Sequence, residues 1–251
     1  MKAQFFTDRG LVRSHNEDSG GVYYHENGHL LAIIADGMGG HRAGDIASQM
    51  AVSLMKEHWY ESETFSTPEE AEKWLLETLQ KVNEEIYHQA QNEENYAGMG
   101  TTVVVTITTE EFVTIAHIGD SRCYLFNENG FQQITEDHSL VNELVRSGQI
   151  SQADAEFHPR KNIVLKALGT EEKVTAEVQS ICWEQGDKLL LCTDGLTDKV
   201  TNEELSEYIS TMRDLSETAN ELIHLANDRG GEDNISVIII NHESSEKAGE
   251  H

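Results

Sequence analysis

The sequence has little cysteine and little proline. Its three cysteines, Cys123, Cys182 and Cys192, lie too far apart for a CxxC redox pair or a zinc knuckle, and their odd number argues against a disulfide framework. Each has apolar neighbours, so we expect small core side chains. With two prolines among 251 residues, 38% hydrophobic and 25% charged residues, the composition is that of a globular protein rather than a disordered chain.

Basic residues and long apolar runs are also scarce. There are 18 lysines and arginines against 45 acidic residues, a net charge of −27. A surface this acidic repels nucleic acid and anionic membranes, so neither is an expected partner. No run approaches the roughly 20 apolar residues that span a bilayer. The first residues turn polar too soon for a signal peptide, and we therefore expect a soluble, cytoplasmic protein.

The chain shows no linker-like composition, which favours one domain over residues 1–241 followed by a polar tail at 242–251. Strand and helix patterns occur in blocks rather than in βαβ alternation. This order predicts antiparallel sheets with helices packed outside them, an α+β fold. One strand is predicted at 174–178. Residues 137–169 lack a strong apolar stripe and are expected to form a mobile flap.

What the sequence does contain is a set of acids at the ends of predicted strands. Apolar runs end at Asp36-Gly37 and at Asp194-Gly195, Asp120 follows another strand pattern, and Asp233 precedes the last one. If the strand of Asp233 runs antiparallel to those of Asp36 and Asp194, the carboxylates meet at one edge. Unpaired carboxylates in a partly dry cleft cost several kcal/mol each unless cations neutralise them.

Oxygen ligands without nearby cysteine or paired histidine favour Mg²⁺ or Mn²⁺ over Zn²⁺. Two such ions sharing Asp36 would lower the pKa of a bridging water so that it attacks phosphorus. Arg13, in a loop with Glu17 and Asp18, is suited to hold the phosphate in a bidentate manner. His41 is near enough to protonate the leaving alkoxide. The pattern predicts hydrolysis of a phosphate ester.

Six motifs carry a family resemblance, and they are, in order, RSHNED at 13–18, ADGMGGH at 35–41, MGTT at 99–102, GDSR at 119–122, TDGL at 193–196 and GEDN at 231–234. This set resembles the metal-dependent serine/threonine protein phosphatases, the type 2C phosphatases, in their short bacterial form. The similarity extends from about residue 2 to 240. Any single Asp-Gly would carry no weight, whereas six motifs in the correct order do.

The resemblance implies an αββα sandwich of two central antiparallel β-sheets flanked by antiparallel helices. It also implies two Mn²⁺ or Mg²⁺ ions, with a possible third, weaker ion. Asp36 would bridge the two ions and the Gly37 carbonyl would bind one of them. Asp194 and Asp233 would bind the other. Asp120, together with Asp194, matches the position that holds the third ion.

Other residues match supporting positions of the same family. Arg13 matches the phosphate clamp, and residues 137–169 match a flap beside the active site. Glu17, Asp18 and Asn234 match residues around the ligands, the two acids acting mostly through metal-bound water. The implied activity is hydrolysis of phosphoserine and phosphothreonine in proteins by a metal-bridging hydroxide. The implied partners are phosphorylated proteins and the serine/threonine kinase that modifies them.

One departure and two rival functions follow from the same residues. Animal and fungal relatives have histidine directly after Asp-Gly, where this chain has Met38, so the proposed acid must be His41, as in bacterial relatives. An aspartyl-phosphate phosphotransferase would need an acid at position 38 and is disfavoured. A catalytically silent phosphoprotein-binding or cation-sensing module is the other alternative. The presence of every candidate ligand and of Arg13 argues against it.

Overall fold

A computed structural model describes residues 1–39 and 43–243 of the chain. Two antiparallel β-sheets pack face to face, and helices cover the outer face of each sheet. This arrangement confirms the predicted α+β fold, the αββα sandwich. Within the described ranges, no helix has the length and apolar character needed to cross a membrane.

The first sheet has the strand order β1-β11-β10-β7-β8, and the second has the order β2-β3-β5-β6-β9 with β4 paired to β3. The strands are β1 (Lys2–Asp8), β2 (Asp18–Tyr24), β3 (Leu30–Met38), β4 (Gly100–Thr101), β5 (Val103–Thr108), β6 (Phe112–Ile118), β7 (Arg122–Asn127), β8 (Gly130–Gln133), β9 (Glu177–Cys182), β10 (Lys188–Cys192) and β11 (Ile235–Asn241). All pairs between them are antiparallel.

Helices flank the two sheets on opposite sides of the sandwich. Helices α1 and α2 cover the second sheet, while α6 and α7 cover the first. The helices are α1 (Ala43–Glu61), α2 (Pro68–Asn92), α3 (Leu140–Arg146), α4 (Gln152–Glu156), α5 (Asp194–Thr197), α6 (Asn202–Thr211) and α7 (Leu215–Asp228).

Strand β3 shows why a continuous apolar run forms a strand here. Successive side chains of a strand point to opposite faces. Leu31 and Ile33 pack against the helices, whereas Leu30 and Ile34 pack between the two sheets. Both faces of the strand are therefore buried, which fixes its position in the sandwich and directs the residues at its end to the sandwich edge.

Local signals set most helix starts. Thr67 caps α2 by accepting a hydrogen bond from the backbone N–H of Glu70, and Pro68 occupies the first helical position. Thr201 and Glu204 form a reciprocal capping box at α6.

The strand predicted at 174–178 is misplaced, since β9 spans Glu177–Cys182. Pairing with β6 sets these bounds, because Glu177 lies opposite His117 and Cys182 opposite Phe112. Val174 packs on the core from outside the strand. A short alternating pattern thus located the region but not the register, which depends on a strand distant in sequence.

Residues 137–169 hold α3 and α4 and little regular structure beyond them. Several apolar side chains of this segment are exposed, most of all Phe157, which is 86% exposed. This exposure agrees with the absence of an apolar stripe, while the mobility of the flap stays a prediction. The single domain over 1–241 also stays a prediction, and residues 244–251 of the predicted tail lie outside the described residues.

Candidate metal centre

The acids at the strand ends meet at one edge of the sandwich. Asp18 and Asp36 lie opposite each other in the register of β2 and β3. In the other sheet, β10 runs antiparallel to β11, so Asp194 after β10 and Asp233 before β11 come to the same end. An adjoining cleft of about 580 Å³ is lined by Asp120 and Asp194, among others. The predicted convergence is therefore present.

Glycine permits the close approach of the elements that carry these acids. A Cβ at Gly37 would lie 2.0 Å from the backbone oxygen of Gly44 in α1, and one at Gly195 would lie 2.0 Å from that of Asn234. Any side chain at either position would force the backbones apart. The glycine in each Asp-Gly pair thus lets the strand end pack directly against a neighbouring segment.

Asp18 is held by hydroxyl groups from the other sheet. Its Oδ2 accepts hydrogen bonds from Thr193 Oγ1 at 3.0 Å and from Ser236 Oγ at 2.7 Å. Burial raises the pKa of Asp18 to about 7, and the charge of Asp233 also raises it. The two hydrogen bonds lower this pKa but do not outweigh burial. Asp18 therefore joins the two sheets at the acid cluster.

Asp36 and Asp194 have strongly perturbed carboxyl groups. Burial raises the pKa of Asp36 well above its ordinary value, and the charges of Asp18 and Asp194 raise it further. Burial likewise raises the pKa of Asp194, and the charges of Asp120 and Asp233 raise it further. These mutual effects mean that the carboxylates are close enough to repel one another. Ionising all of them together requires a compensating positive charge.

Asp233 differs because it has a basic partner. Arg13 Nη2 donates to Asp233 Oδ2 at 2.7 Å, and the backbone N–H of Asn234 donates to Oδ1 at 2.8 Å. The Arg13 side chain is 47% exposed. Because it is half-exposed, this arginine lies at the rim of the acid cluster. A guanidinium carries five N–H donors, so donors remain for an incoming anion.

Asn234 fastens the loop that carries Arg13. Its Oδ1 accepts from the backbone N–H of Glu17 at 2.8 Å, and its Nδ2 donates to the backbone oxygens of Arg9 and His15. These bonds hold both ends of the loop to the start of β11. The residue therefore positions the loop, and its predicted influence on metal ions stays a prediction.

Glu17 is buried, and its backbone oxygen joins the loop to α1 and β3. That oxygen accepts hydrogen bonds from Ser48 Oγ at 2.6 Å and from the backbone N–H of Gly37 at 3.1 Å. The Glu17 carboxylate oxygen Oε1 lies 3.1 Å from His15 Nε2. Glu17 thus lies next to the Gly37 backbone, while its predicted action through metal-bound water stays a prediction.

Asp120 lines the same cleft as Asp194 and lies near an ion pair. Arg122 donates through Nε and Nη2 to both oxygens of Asp137, the shortest contact being 2.6 Å, and donates through Nη1 to the Tyr124 hydroxyl. Burial raises the pKa of Asp120 to about 6, the charge of Asp137 adds to this, and Arg122 opposes it. The acid is 7% exposed.

These donor groups fit hard divalent cations. Asp18 and Asp194 each have one buried oxygen, Oδ1, without a hydrogen-bond partner among the described residues. Within the same residues, no lysine or arginine forms an ion pair with Asp36 or Asp194. Buried oxygens without partners are costly, and carboxylate and backbone oxygens are the ligands that Mg²⁺ and Mn²⁺ prefer.

Comparison with known proteins identifies the family of this site. The sequence model described as Protein phosphatase 2C matches residues 12–228. The chain belongs to the protein phosphatase 2C family. The family resemblance of the six motifs is thereby confirmed, as is the prediction that the chain is a protein phosphatase.

The similarity extends over nearly the whole chain. A serine/threonine phosphatase, stp, from Listeria monocytogenes serovar 1/2a is 49% identical over 247 residues, which cover 98% of each chain. The crystal structure of the phosphatase Stp1 from Staphylococcus aureus has a TM-score of 0.91 at 38% identity, covering 97% of this chain and 95% of that one.

A third similar structure is the catalytic domain of the phosphatase PstP, described as a complex with two manganese ions. It has a TM-score of 0.84 and 33% identity, and the alignment covers 97% of this chain and 98% of that one. Divalent-metal dependence is therefore supported for this protein phosphatase 2C member.

Sequence reasoning missed several residues that support the acids of this phosphatase. Thr193 and Ser236 bind Asp18, and Asp137 binds Arg122. Thr193 directly precedes Asp194, but only the folded register shows which acid its hydroxyl binds. His41, the predicted general acid, lies outside the described residues.

Proposed function

We propose that this chain hydrolyses phosphoserine and phosphothreonine in proteins with two bound divalent ions, Mn²⁺ or Mg²⁺. The observation that carries the proposal is the set of buried carboxylates that raise one another's pKa at one sheet edge, where Asp18 and Asp194 each have an oxygen without a hydrogen-bond partner among the described residues. The serine/threonine phosphatases to which the chain is similar support the choice of substrate. Opposition to a serine/threonine kinase in the cytoplasm is part of the same proposal.

The ions would be held by groups from both sheets. We assign Asp36 to both ions and the Gly37 carbonyl to one of them. Asp194 and Asp233 would hold the other ion. Asp120 and Asp194 would hold a third, weaker ion. When bound, the ions neutralise the phosphate charge and activate water for attack on phosphorus.

Arg13 binds the phosphate in this proposal. Its guanidinium is half-exposed at the rim, and its contact with Asp233 fixes one end of the planar group. Arginine matches phosphate oxygens with parallel N–H donors, so it orients the phosphate and lowers its charge. The loop bonds of Asn234 keep this arginine in place.

A proton must reach the oxygen of serine or threonine as it leaves phosphorus. The alkoxide of an alcohol is a poor leaving group, so a general acid accelerates this step. We assign this role to His41 on the basis of its place in the ADGMGGH motif. A nitrophenolate leaving group needs no such proton, so loss of His41 should matter more for phosphopeptides than for p-nitrophenyl phosphate.

The deciding experiment is a phosphopeptide panel assayed with Mn²⁺, with Mg²⁺ and with a chelator. We expect phosphate release from phosphoserine and phosphothreonine peptides with either metal and none with the chelator. Phosphotyrosine peptides of the same sequence serve as the comparison. Metal binding without any turnover would refute the hydrolase proposal in favour of a silent cation-sensing module.

A further inference from the structure

Three potential metal-ligating side chains lie close together outside the acid cluster. Ligand atoms of His117, His138 and Glu177 are within 4.8 Å of one another. However, the rings of His117 and His138 stack with centroids 4.7 Å apart and planes only 7° apart. A metal ion lies in the plane of each imidazole that binds it, and two nearly parallel stacked planes do not meet at one ion. The cluster therefore needs another explanation.

The hydrogen bonds of His138 fix which ring nitrogen carries the proton. The backbone N–H of Gly119 points at His138 Nδ1 at 3.0 Å. A backbone N–H can only donate, so Nδ1 accepts and the neutral ring carries its proton on Nε2. Nε2 lies 2.9 Å from Glu177 Oε1 and donates to it. Both nitrogens of the ring are therefore in use, and the ring cannot turn without losing a bond.

Gly119 depends on these bonds because glycine restrains its own backbone weakly. Its φ is +108°, and a Cβ there would lie 2.6 Å from Thr102 Cβ. Both of its backbone groups bind residue 138, since its N–H donates to His138 Nδ1 and its oxygen accepts from the His138 N–H at 2.9 Å. The next residue along the chain is Asp120.

The other side of this turn is tied to Asp36. Thr102 Oγ1 lies 2.8 Å from Ser121 Oγ and accepts from the backbone N–H of Asp36 at 3.1 Å. The Thr102 N–H also donates to the Asp36 oxygen at 2.9 Å. The turn that carries Asp120 thus lies between a segment fixed to Asp36 and the ring of His138.

We propose that His138 is a positioning residue that sets the orientation of Asp120 at the metal centre through the Gly119 amide. The proposal rests on the proposed function, because it treats Asp120 as a ligand of the weaker ion. The bond that matters is the one from the Gly119 N–H to Nδ1. The bond from Nε2 to Glu177 serves to hold the ring.

The same residue anchors the flap. Its backbone oxygen accepts from the N–H of Leu165, where the flap returns, and the next residue, Ser139, caps α3. The two ends of the flap therefore meet at the residue that orients Asp120. A single substitution that spares the backbone can separate the role of the ring from this anchoring.

Two substitutions distinguish the two ring nitrogens. Asparagine places an oxygen near the position of Nδ1, so His138→Asn keeps an acceptor for Gly119. Glutamine places an NH₂ group near the position of Nε2, so His138→Gln keeps a donor for Glu177 and loses the acceptor. The controls are Asp120→Asn, the double variant Asp120→Asn/His138→Gln, and His25→Asn, which alters a histidine packed on Trp59 elsewhere.

The primary readout is Mn²⁺ binding at pH 7. It is measured through the electron paramagnetic resonance signal of the Mn²⁺ that stays free in solution. We expect His138→Gln to weaken the weakest class of bound ion about 10-fold, the usual size of an effect on a ligand's support. His138→Asn should remain within about threefold of wild type. In the Asp120→Asn background, His138→Gln should add less than a twofold effect, because both changes act on the same ligand.

Three results would each overturn the proposal. The first is unchanged Mn²⁺ binding in a folded His138→Gln variant, and the second is a full 10-fold effect of that change in the Asp120→Asn background. The third is an equal loss of Mn²⁺ affinity in His138→Asn and His138→Gln. If His138→Gln fails to fold, His138→Asn decides alone, since a 10-fold loss there with an unchanged melting temperature would also overturn it. A wild-type protein that binds Mn²⁺ without turnover would refute the proposed function instead.

Discussion

Glu204 and Asp194 are acids of one chain in opposite surroundings. Glu204 is on the surface of α6, and Arg229 donates to both of its oxygens, which lowers its pKa to about 2. Asp194 follows the buried strand β10 and has one oxygen without a hydrogen-bond partner among the described residues, and burial raises its pKa well above the ordinary value. The surface acid has its counter-charge in the protein, whereas the acid of the cleft does not.

The difference shows that the acids behind the net charge of −27 do not all have the same role. Surface acids are solvated or paired, and they serve mainly solubility. Asp36 and Asp194 in the cleft instead have pKa values raised by neighbouring acids, and neither forms an ion pair with a lysine or arginine among the described residues. The free-energy cost of burying these carboxylates is offset only when a cation binds, and this requirement is the physical basis of the proposed metal dependence.

The largest effect is expected from Asp194→Asn. The amide is isosteric but neutral, so it should lower kcat at least about 1,000-fold by weakening the bound ion while relieving repulsion in the metal-free protein. We therefore expect a higher melting temperature in chelator together with lost turnover. Phosphopeptide turnover and thermal unfolding on the same sample test both parts. Retained turnover, or a lower melting temperature in chelator, would contradict the account.

Arg13→Ala should have an intermediate effect. Loss of a charge-assisted contact to phosphate costs about 1.5–3 kcal/mol, which corresponds to a rise in KM of roughly 10- to 150-fold. Arg13→Lys should recover part of this loss, since it keeps the charge without the planar pair of donors. Steady-state kinetics on one phosphopeptide provide the measurement. An unchanged KM for Arg13→Ala would remove the arginine from the phosphate site.

A smaller effect concerns pH and stability. The pKa of Asp18 is about 7 in the folded protein, against about 4 in an unfolded chain. Between these values the folded state binds more protons, so this group makes the metal-free protein less stable as pH rises from about 4 to 7. Asp18→Asn removes the effect. Its melting temperature in chelator should exceed that of wild type by several degrees at pH 7.5 and by little at pH 4.5.

A constant difference between Asp18→Asn and wild type across that pH range would show that the carboxyl group does not titrate as described. Added Mn²⁺ provides a second control. The ion competes with the protons in the acid cluster, so the slope of wild-type stability with pH should become flatter in its presence.

The smallest effect is expected from Glu204→Gln. The pair with Arg229 is exposed, and such pairs add little to stability. We expect a change of about 1 °C in melting temperature and unchanged turnover and Mn²⁺ binding. This variant is the matched control for Asp194→Asn. A loss of turnover here would mean that removing any carboxylate has a general effect on the enzyme.

The positions of the acids could be predicted from the sequence, but the residues that hydrogen-bond to them could not. Asp36 and Asp194 follow apolar runs of the sequence, so their place at a sheet edge could be predicted from local pattern alone. The bond between Thr193 and Asp18 joins residues 175 positions apart, and its existence depends on how two sheets pack. The role of Asn234 in holding the Arg13 loop was missed for the same reason.

The shift of β9 relative to the predicted strand has a similar origin. Pairing with β6 places Glu177 opposite His117, and this register also brings Glu177 within reach of His138. A register between distant strands cannot be deduced from alternation within a single strand. The residues that support the ligands are therefore visible only in the folded chain.

The central claim is that the acid cluster requires cations, and counting the ions tests it most directly. Metal-free protein at pH 7 should be titrated with Mn²⁺ by isothermal calorimetry, beside Asp194→Asn and Glu204→Gln. We predict at least two ions per wild-type chain, the same number for Glu204→Gln and fewer for Asp194→Asn. Fewer than two ions on the wild-type chain, or an unchanged number on Asp194→Asn, would contradict the account.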